Sequence, residues 1–260
     1  MKIASWNINS INSRLKNLLS WLTQTQPDIV LLQELKCQTA AFPREAIEGL
    51  GYNLAIHGQK TYNGVAILSK YSIDEFNTNL SNDPDSLQSR YIEACISTRN
   101  AHLRVVSVYV PNGQEIDSEK FAYKLQFLDA LKIHLQKLLT YDEATIIGGD
   151  FNVAPEDIDV YNAKKLENCI CFSQIERQKL QQLLHLGFSD SYRLLNKNKQ
   201  EFSWWDYRAR SWQYNFGMRI DHILLSPEAS DLLVKAAIEE KIRGQNKASD
   251  HVPVTIELSL

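Results

Sequence analysis

Apolar runs of strand length alternate with helical patterns along the whole chain. Strand-like runs fall at 2–7, 28–33, 63–69, 91–97, 103–110, 144–151, 202–207, 219–225 and 253–259. Fewer stretches carry the helical period. Over 12–25, Leu15, Leu18, Leu19 and Leu22 recur at i, i+3, i+4 and i+7. The apolar stripe Phe121, Leu125, Leu128, Leu135 and Leu138 predicts a helix over 118–140, with Asp117 or Ser118 as its cap. Ser173-Gln174-Ile175-Glu176 is a capping box that opens a helix over 174–186, closed at Gly187. Several strands follow one another with no helix between them. That order predicts two stacked sheets with helices outside, rather than a doubly wound parallel sheet. No repeat, low-complexity tract or linker interrupts the pattern, so 1–260 reads as one domain.

Composition narrows the class. No apolar run approaches the ~18 residues of a membrane span. The opening segment, Met1-Lys2-Ile3-Ala4-Ser5-Trp6-Asn7, reads as a strand, with no apolar leader after Lys2. Cys37, Cys95, Cys169 and Cys171 contain no Cys-x-x-Cys and suggest reduced thiols in a cytoplasmic protein. A net charge of −3 argues against a passive nucleic-acid coat but permits an enzyme with a local basic face.

The chemistry collects where apolar runs stop. The run Ala144-Thr145-Ile146-Ile147 ends in Gly148-Gly149-Asp150-Phe151-Asn152. In extended backbone, residues i and i+2 share a face, so Asp150 and Asn152 point the same way. Asn7 ends the first run, Glu34 the second, and Tyr109 a later one; Asp221 follows Arg219-Ile220, and Asp250-His251 precede the last. A single strand-end Asp or Asn commonly makes a turn or cap. Converged, however, these groups would form a cluster of carboxylates with a histidine, a tyrosine and two amides. Packed carboxylates repel unless a cation sits among them, and oxygen donors select hard ions such as magnesium or manganese. A histidine beside an aspartate can be held protonated toward a phosphate oxygen. Phosphodiester hydrolysis uses such parts.

In their order along the chain, seven motifs resemble the exonuclease III family of apurinic/apyrimidinic endonucleases. They are Trp6-Asn7-Ile8-Asn9, Leu32-Gln33-Glu34, Asn63-Gly64-Val65-Ala66, Tyr109-Val110-Pro111-Asn112-Gly113, Gly149-Asp150-Phe151-Asn152, Arg219-Ile220-Asp221 and Ser249-Asp250-His251. The resemblance implies a four-layer α/β sandwich, with two stacked mixed sheets flanked by helices. It implies a magnesium-dependent phosphodiesterase, with manganese as a substitute, that acts on double-stranded DNA at abasic sites or 3′ ends, as a monomer. By matching position, Glu34 would be the principal metal ligand with Asn7 nearby, and Asp150 would activate or orient the attacking water and join the metal site. Asn152 would hold the phosphate or that water and join the metal site. His251, oriented by Asp221, would donate to a phosphate oxygen; Tyr109 would face the phosphate or leaving group; Asp250 would support the metal. Trp204, Met218 and Ile220 match the lining of a pocket for a base-less sugar, and an apolar pocket suits such a sugar. Arg90, Asn112, Lys60, Arg208 and Arg210 would contact DNA, the basic ones through phosphates.

Three departures from the family pattern stand out: Leu35 within Glu34-Leu35-Lys36, Met218, and the segment Ile170-Cys171-Phe172-Ser173-Gln174-Ile175-Glu176-Arg177. The last lies beside the substrate in the family, so its change leaves the balance among abasic incision, 3′ exonuclease and 3′ phosphatase action open. Two alternatives remain: a phosphatase of small phosphorylated lipids or inositols, and a DNA-binding module without catalysis. The segments 58–64 and 202–208 argue against the first, and the full set of acidic and histidine positions against the second. His222, adjacent to Asp221, alternates onto the opposite strand face and reads as structural.

Overall fold

The computed structural model describes all residues 1–260. Its strands are β1 (Lys2–Asn7), β2 (Ile29–Gln33), β3 (Asn53–His57), β4 (Val65–Ser69), β5 (Ile73–Asn77), β6 (Tyr91–Ser97), β7 (His102–Tyr109), β8 (Ala144–Asp150), β9 (Ser189–Asp190), β10 (Asp221–Leu225), β11 (Leu233–Ile238) and β12 (Val254–Leu258). The helices are α1 (Ile11–Thr25), α2 (Arg44–Glu48), α3 (Glu119–Leu138), α4 (Ala163–Leu166), α5 (Gln174–Leu184), α6 (Ser191–Leu195) and α7 (Pro227–Ser230). Two six-stranded sheets result, ordered β11-β12-β1-β2-β4-β3 and β5-β6-β7-β8-β10-β9. Both are mixed: β1–β2 and β7–β8 run parallel, and the remaining pairs antiparallel.

Strand alternation explains the four layers. Ile3, Ile29 and Leu31 of one sheet meet Val105, Ile146 and Ile223 of the other in a shared core. Their neighbours Ala4, Trp6, Val30 and Leu32 face outward onto Ile11, Leu18, Trp21 and Leu22 of α1. On the far side, Val106, Val108 and Ile147 pack against Phe127, Leu128 and Leu131 of α3 and Leu180 and Leu183 of α5. Strands buried on both faces read as continuous apolar runs for this reason. The expected fold class is therefore the one observed. No helix is long and apolar enough to cross a membrane, and all four cysteines are free thiols.

Two glycines at the end of β8 permit the closest approach in the stack. A Cβ on Gly148 would come within 2.6 Å of Leu31 Cδ1 in the opposite sheet, and one on Gly149 within 2.0 Å of the Val108 carbonyl. Side chains there would force the sheets, or β7 and β8, apart at the point where Asp150 emerges.

The run 202–207, expected as a strand, is not one. Only Trp204 pairs, in isolated bridges to Met218 and His251. The backbone turns between two partners: Trp204 N donates to Met218 O and Trp205 N to Asp250 O, each at 3.0 Å. Strands β3, β5, β9 and β11 go unforeseen in the sequence pattern. The cap of α3 is Ser118, whose hydroxyl accepts from Phe121 N at 3.1 Å. The Ser173–Glu176 capping box forms with both of its bonds.

A buried polar group ties α3 to the second sheet. Glu93 Oε2 accepts from Tyr91 Oη at 2.6 Å and lies 2.9 Å from His134 Nε2. Burial pushes the Glu93 carboxyl up, but the bonds from His134 and Tyr91 outweigh it and hold it at about 2. A depressed carboxylate contributes stability that is full above its unfolded value near 4.5 and lost as pH falls through about 2. Glu93→Gln is therefore expected to cost about 1.5–3 kcal/mol at neutral pH. That deficit should shrink steadily in thermal melts taken below pH 5. A deficit independent of pH would count against the ionic origin of the effect.

Candidate active site

Strand direction gathers the site. Parallel neighbours β1 and β2, and β7 and β8, all finish at one end of the sandwich. The antiparallel β10 and β12 begin there. In register, Asp221 lies opposite Asp150, and Tyr109 lies beside Asp150. Asn7 pairs with Gln33, the residue before Glu34. The chain before β12 is fixed by Ser249 Oγ donating to Asn7 O at 2.8 Å and by Trp6 Nε1 donating to His251 O at 3.1 Å.

Asn7 is the central link. Its Nδ2 donates to Glu34 Oε1 and to Asp150 Oδ2, both at 2.9 Å, and its Oδ1 accepts from Asn9 N at 3.0 Å. Lys36 Nζ lies 2.7 Å from Glu34 Oε2. Glu34 and Lys36 both take left-handed backbone, φ 51° and 54°, a conformation that is costly for ordinary residues and often found at functional sites. Between them, Leu35 is fully buried among the helix-side apolar residues, so this departure from the family pattern faces the core.

The imidazole is held from one side. His251 Nδ1 lies 2.8 Å from Asp221 Oδ2 and 3.0 Å from Oδ1, while Nε2 is 3.7 Å from Asp150 Oδ2. Burial opposes the charge on His251, but Asp221 and Asp150 overcome it and push the ring up to about 10. Asp150 is itself pushed up to about 7, first by burial and then by Asp221 and Glu34, against the pull of His251. Burial, with the charges of Glu34 and Asp150, holds the Tyr109 phenol well above its ordinary value, so it stays protonated as a donor.

Potential ligand atoms of Glu34, Asp150 and His251 all lie within 4.8 Å of one another. Because His251 is engaged by Asp221 and cationic, the natural donors are the two carboxylates. An oxygen-donor pair in which burial, then Asp221 and Glu34, raises Asp150 fits a hard divalent cation. Two further groups expected at a metal centre are hydrogen-bonded within the protein. Asp250 takes Asn9 Nδ2 at 2.7 Å on Oδ1 and Trp204 Nε1 at 3.1 Å on Oδ2. Asn152 Oδ1 accepts from Asn112 Nδ2 at 2.9 Å, and its Nδ2 donates to Val110 O at 3.0 Å.

Beside the cluster runs a groove of about 680 Å³ lined by Glu34, Lys36, Arg90, Tyr109, Asn112 and Lys120, among others. The Arg90 guanidinium lies 4.7 Å from the Tyr109 ring centre and donates to the Tyr109 carbonyl at 3.3 Å. On the other flank, Met218 and Ile220 are buried with Cys171, Phe172 and Val160, and Trp204 packs on them. The Trp204 ring centre is 6.4 Å from that of His251. Lys60 is exposed. Arg208 is exposed and paired with Asp206 at 2.7 Å, while Arg210 is exposed; these three stand apart from the bonds that build the cluster.

Sequence reasoning missed a buried ion pair under the amides. Lys124 and Glu176 are both fully buried and directly bonded. Lys124 Nζ donates to Asn112 O at 3.1 Å and Asn152 O at 2.7 Å. Glu176 accepts from the backbone of Cys171 and Ser173 at 3.0 Å each. A lysine three residues after Phe121 and four before Leu128, on the apolar face of α3, was the available signal. His222, by contrast, is as expected away from the cluster. Its Nε2 donates to Val153 O at 2.8 Å and its Nδ1 meets Arg219 Nη1 at 3.0 Å, and burial with that cation lowers its basicity.

Two stacked mixed sheets with carboxylates, amides and a clamped imidazole at one end define an α/β-sandwich hydrolase. The chain belongs to the endonuclease/exonuclease/phosphatase family, whose model matches residues 4–251, and it is a hydrolytic nuclease. It is 37% identical over 265 residues to exodeoxyribonuclease III of Haemophilus influenzae, covering 99% of both chains. Among solved structures it is similar to a 3′ phosphatase from Neisseria bound to a product DNA hairpin (TM-score 0.96, 40% identity), covering 100% of both chains. It is similar also to an AP endonuclease from Archaeoglobus fulgidus (TM-score 0.94, 37% identity), with the same coverage.

Proposed function

We propose that the protein is a magnesium-dependent phosphodiesterase of duplex DNA that works at abasic sites or 3′ ends, as a monomer in the cytoplasm. One observation carries the reading. Asp150, bridged to Glu34 through Asn7, faces the free nitrogen of a cationic His251 whose other nitrogen is fixed by Asp221. A hard divalent cation at Glu34 and Asp150 would offset phosphate charge and lower the pKa of water. Asp150 then orients the attacking water, and His251 donates from Nε2 to a non-bridging phosphate oxygen as charge builds there. The protonated Tyr109 phenol and the Asn112–Asn152 amide pair supply donors around the phosphate. Trp204, Met218 and Ile220 form the apolar wall for a sugar without a base, with Trp204 pinned by Asp250. Relatives named for a 3′ phosphatase and for an AP endonuclease resemble the chain about equally, which supports a shared chemistry without ranking the substrates.

The test is a side-by-side assay on abasic, 3′-phosphate and recessed 3′-hydroxyl duplexes. With magnesium, at least one should turn over; chelation should reduce the rate roughly 10³-fold or more, since the metal contributes several kcal/mol to the transition state. Manganese should restore activity. Affinity for duplex should fall as salt rises, because phosphate contacts release counterions. Failure to cut any of the three with metal present, or faster hydrolysis of an inositol phosphate, would overturn the reading.

A further inference from the structure

Next to the Trp204–Met218–Ile220 wall, and outside the acidic cluster, lies an aromatic stack. Tyr214 and Phe216 have ring centres 5.5 Å apart and planes 29° from parallel; Phe216 and Tyr161 are 4.7 Å apart at 32°. Tyr214 is 58% exposed and Phe216 38%. Grouped rings left in water forgo the stabilisation that burial of apolar area brings, and such patches usually mark a surface that meets something.

Its position is set by the same backbone that builds the wall. Tyr161 N donates to Gly217 O at 3.1 Å, Val160 bridges Met218, and Met218 in turn pairs with Trp204. Helix α4 adds a cation: Lys165 Nζ lies 5.6 Å from the Tyr161 ring centre and 5.7 Å from that of Phe216. Ala163 and Leu166 on the same helix pack against the Met218 cluster. Lys165 makes no ion pair with a carboxylate, so its charge is available to another partner. Open π-faces beside a lysine, continuous with a phosphodiester site, are what single-stranded nucleic-acid platforms use: bases stack on rings and the cation follows the backbone.

We propose that the Tyr214–Phe216–Tyr161 stack, with Lys165, receives an unpaired nucleobase of a DNA strand adjoining the phosphodiester being cleaved. The inference rests on the nuclease reading and extends it to a substrate class, duplexes bearing a short single-stranded segment. Stacking accounts for an outermost ring that is 58% exposed and lies 29° from the plane of its neighbour. A peptide partner on the same patch would leave DNA preference untouched.

The experiment uses the full chain with chelator, so that binding is read without cleavage. The probes are a blunt duplex and the same duplex carrying a six-nucleotide single-stranded extension that contains 2-aminopurine. The wild type should bind the extended duplex roughly tenfold more tightly and quench the 2-aminopurine fluorescence, as expected for one or two stacked bases. Tyr214→Ala and Phe216→Ala should abolish both the preference and the quenching, whereas Tyr214→Phe should keep them. Both alanine variants should still cut, with magnesium, whichever blunt duplex the wild type cuts, abasic or 3′-phosphate, within about twofold of wild type. Equal wild-type binding of the two probes, or an unchanged preference in Tyr214→Ala, would overturn the proposal. Loss of all cleavage by the wild type with stacking intact would instead strike the nuclease reading.

Discussion

Asp150→Asn should lower turnover by roughly 10³-fold while duplex affinity holds or rises, a loss within the range for one positioned acid–base group. The substitution keeps the shape of the side chain, but its single amide oxygen can replace only one of two acceptors, since Asn7 Nδ2 donates to Oδ2 and Asn152 N to Oδ1, each at 2.9 Å. What disappears is the negative charge within 4.8 Å of a Glu34 oxygen and 3.7 Å from His251 Nε2. Without it, nothing else on β8 can orient water or share a cation with Glu34. Removing an anion from beside the phosphate leaves binding unharmed, so the loss should fall on kcat and not on KM, the signature of an interaction made in the transition state. Single-turnover cleavage alongside equilibrium binding checks this. Turnover within tenfold of wild type would remove Asp150 from the reaction and leave the cluster a structural one.

Much of this site is legible in the amino-acid sequence, because strand ends are local. A polar residue following an apolar run is visible in one segment, and parallel strands in one sheet must finish on the same side. That is why Asn7, Glu34, Tyr109 and Asp150 converge, and why the residues opening β10 and β12 join them. The segments that escaped share a different cause. Strands β3, β5, β9 and β11 are the four edges of the two sheets. An edge strand pairs on one side only, and β5, as Ile73-Asp74-Glu75-Phe76-Asn77, is mostly exposed, so no apolar run marks it. The aromatic run 202–207 erred in the opposite sense. Its composition favours a strand, but Phe202 and Trp205 are drawn into a small core with Val252 while Trp204 faces His251. Tertiary packing overrides β-propensity there. Lys124 was concealed by its own helix: the leucine stripe on α3 accounts for the pattern, and its partner Glu176 belongs to α5, whose capping box already explained that glutamate. The pairing of two separately explained residues exists only in three dimensions.

That pair carries the second large effect. Lys124→Met should destabilise the protein by about 3–5 kcal/mol, the usual consequence of leaving one member of a buried ion pair without the other. For a chain of this size the melting temperature should fall on the order of 10 °C. Glu176→Gln should also be costly, by less, because a glutamine oxygen can still accept from the Ser173 or Cys171 backbone. The double variant should be more stable than the sum of the two losses, since it leaves no unpaired charge, and the difference measures the coupling. The functional consequence differs from the stability one. Lys124 is the shared donor to the carbonyls of Asn112 and Asn152, whose side-chain amides are hydrogen-bonded to each other. In the double variant, assayed well below its melting temperature, those two loops lose their common anchor. The kcat should therefore remain depressed even where stability is largely recovered, whereas Lys124→Arg, which retains the charge and donors, should recover both in part. Additive losses in the melting temperature, or full activity in the folded double variant, would reduce Lys124 and Glu176 to a packing element with no hold on the amide pair.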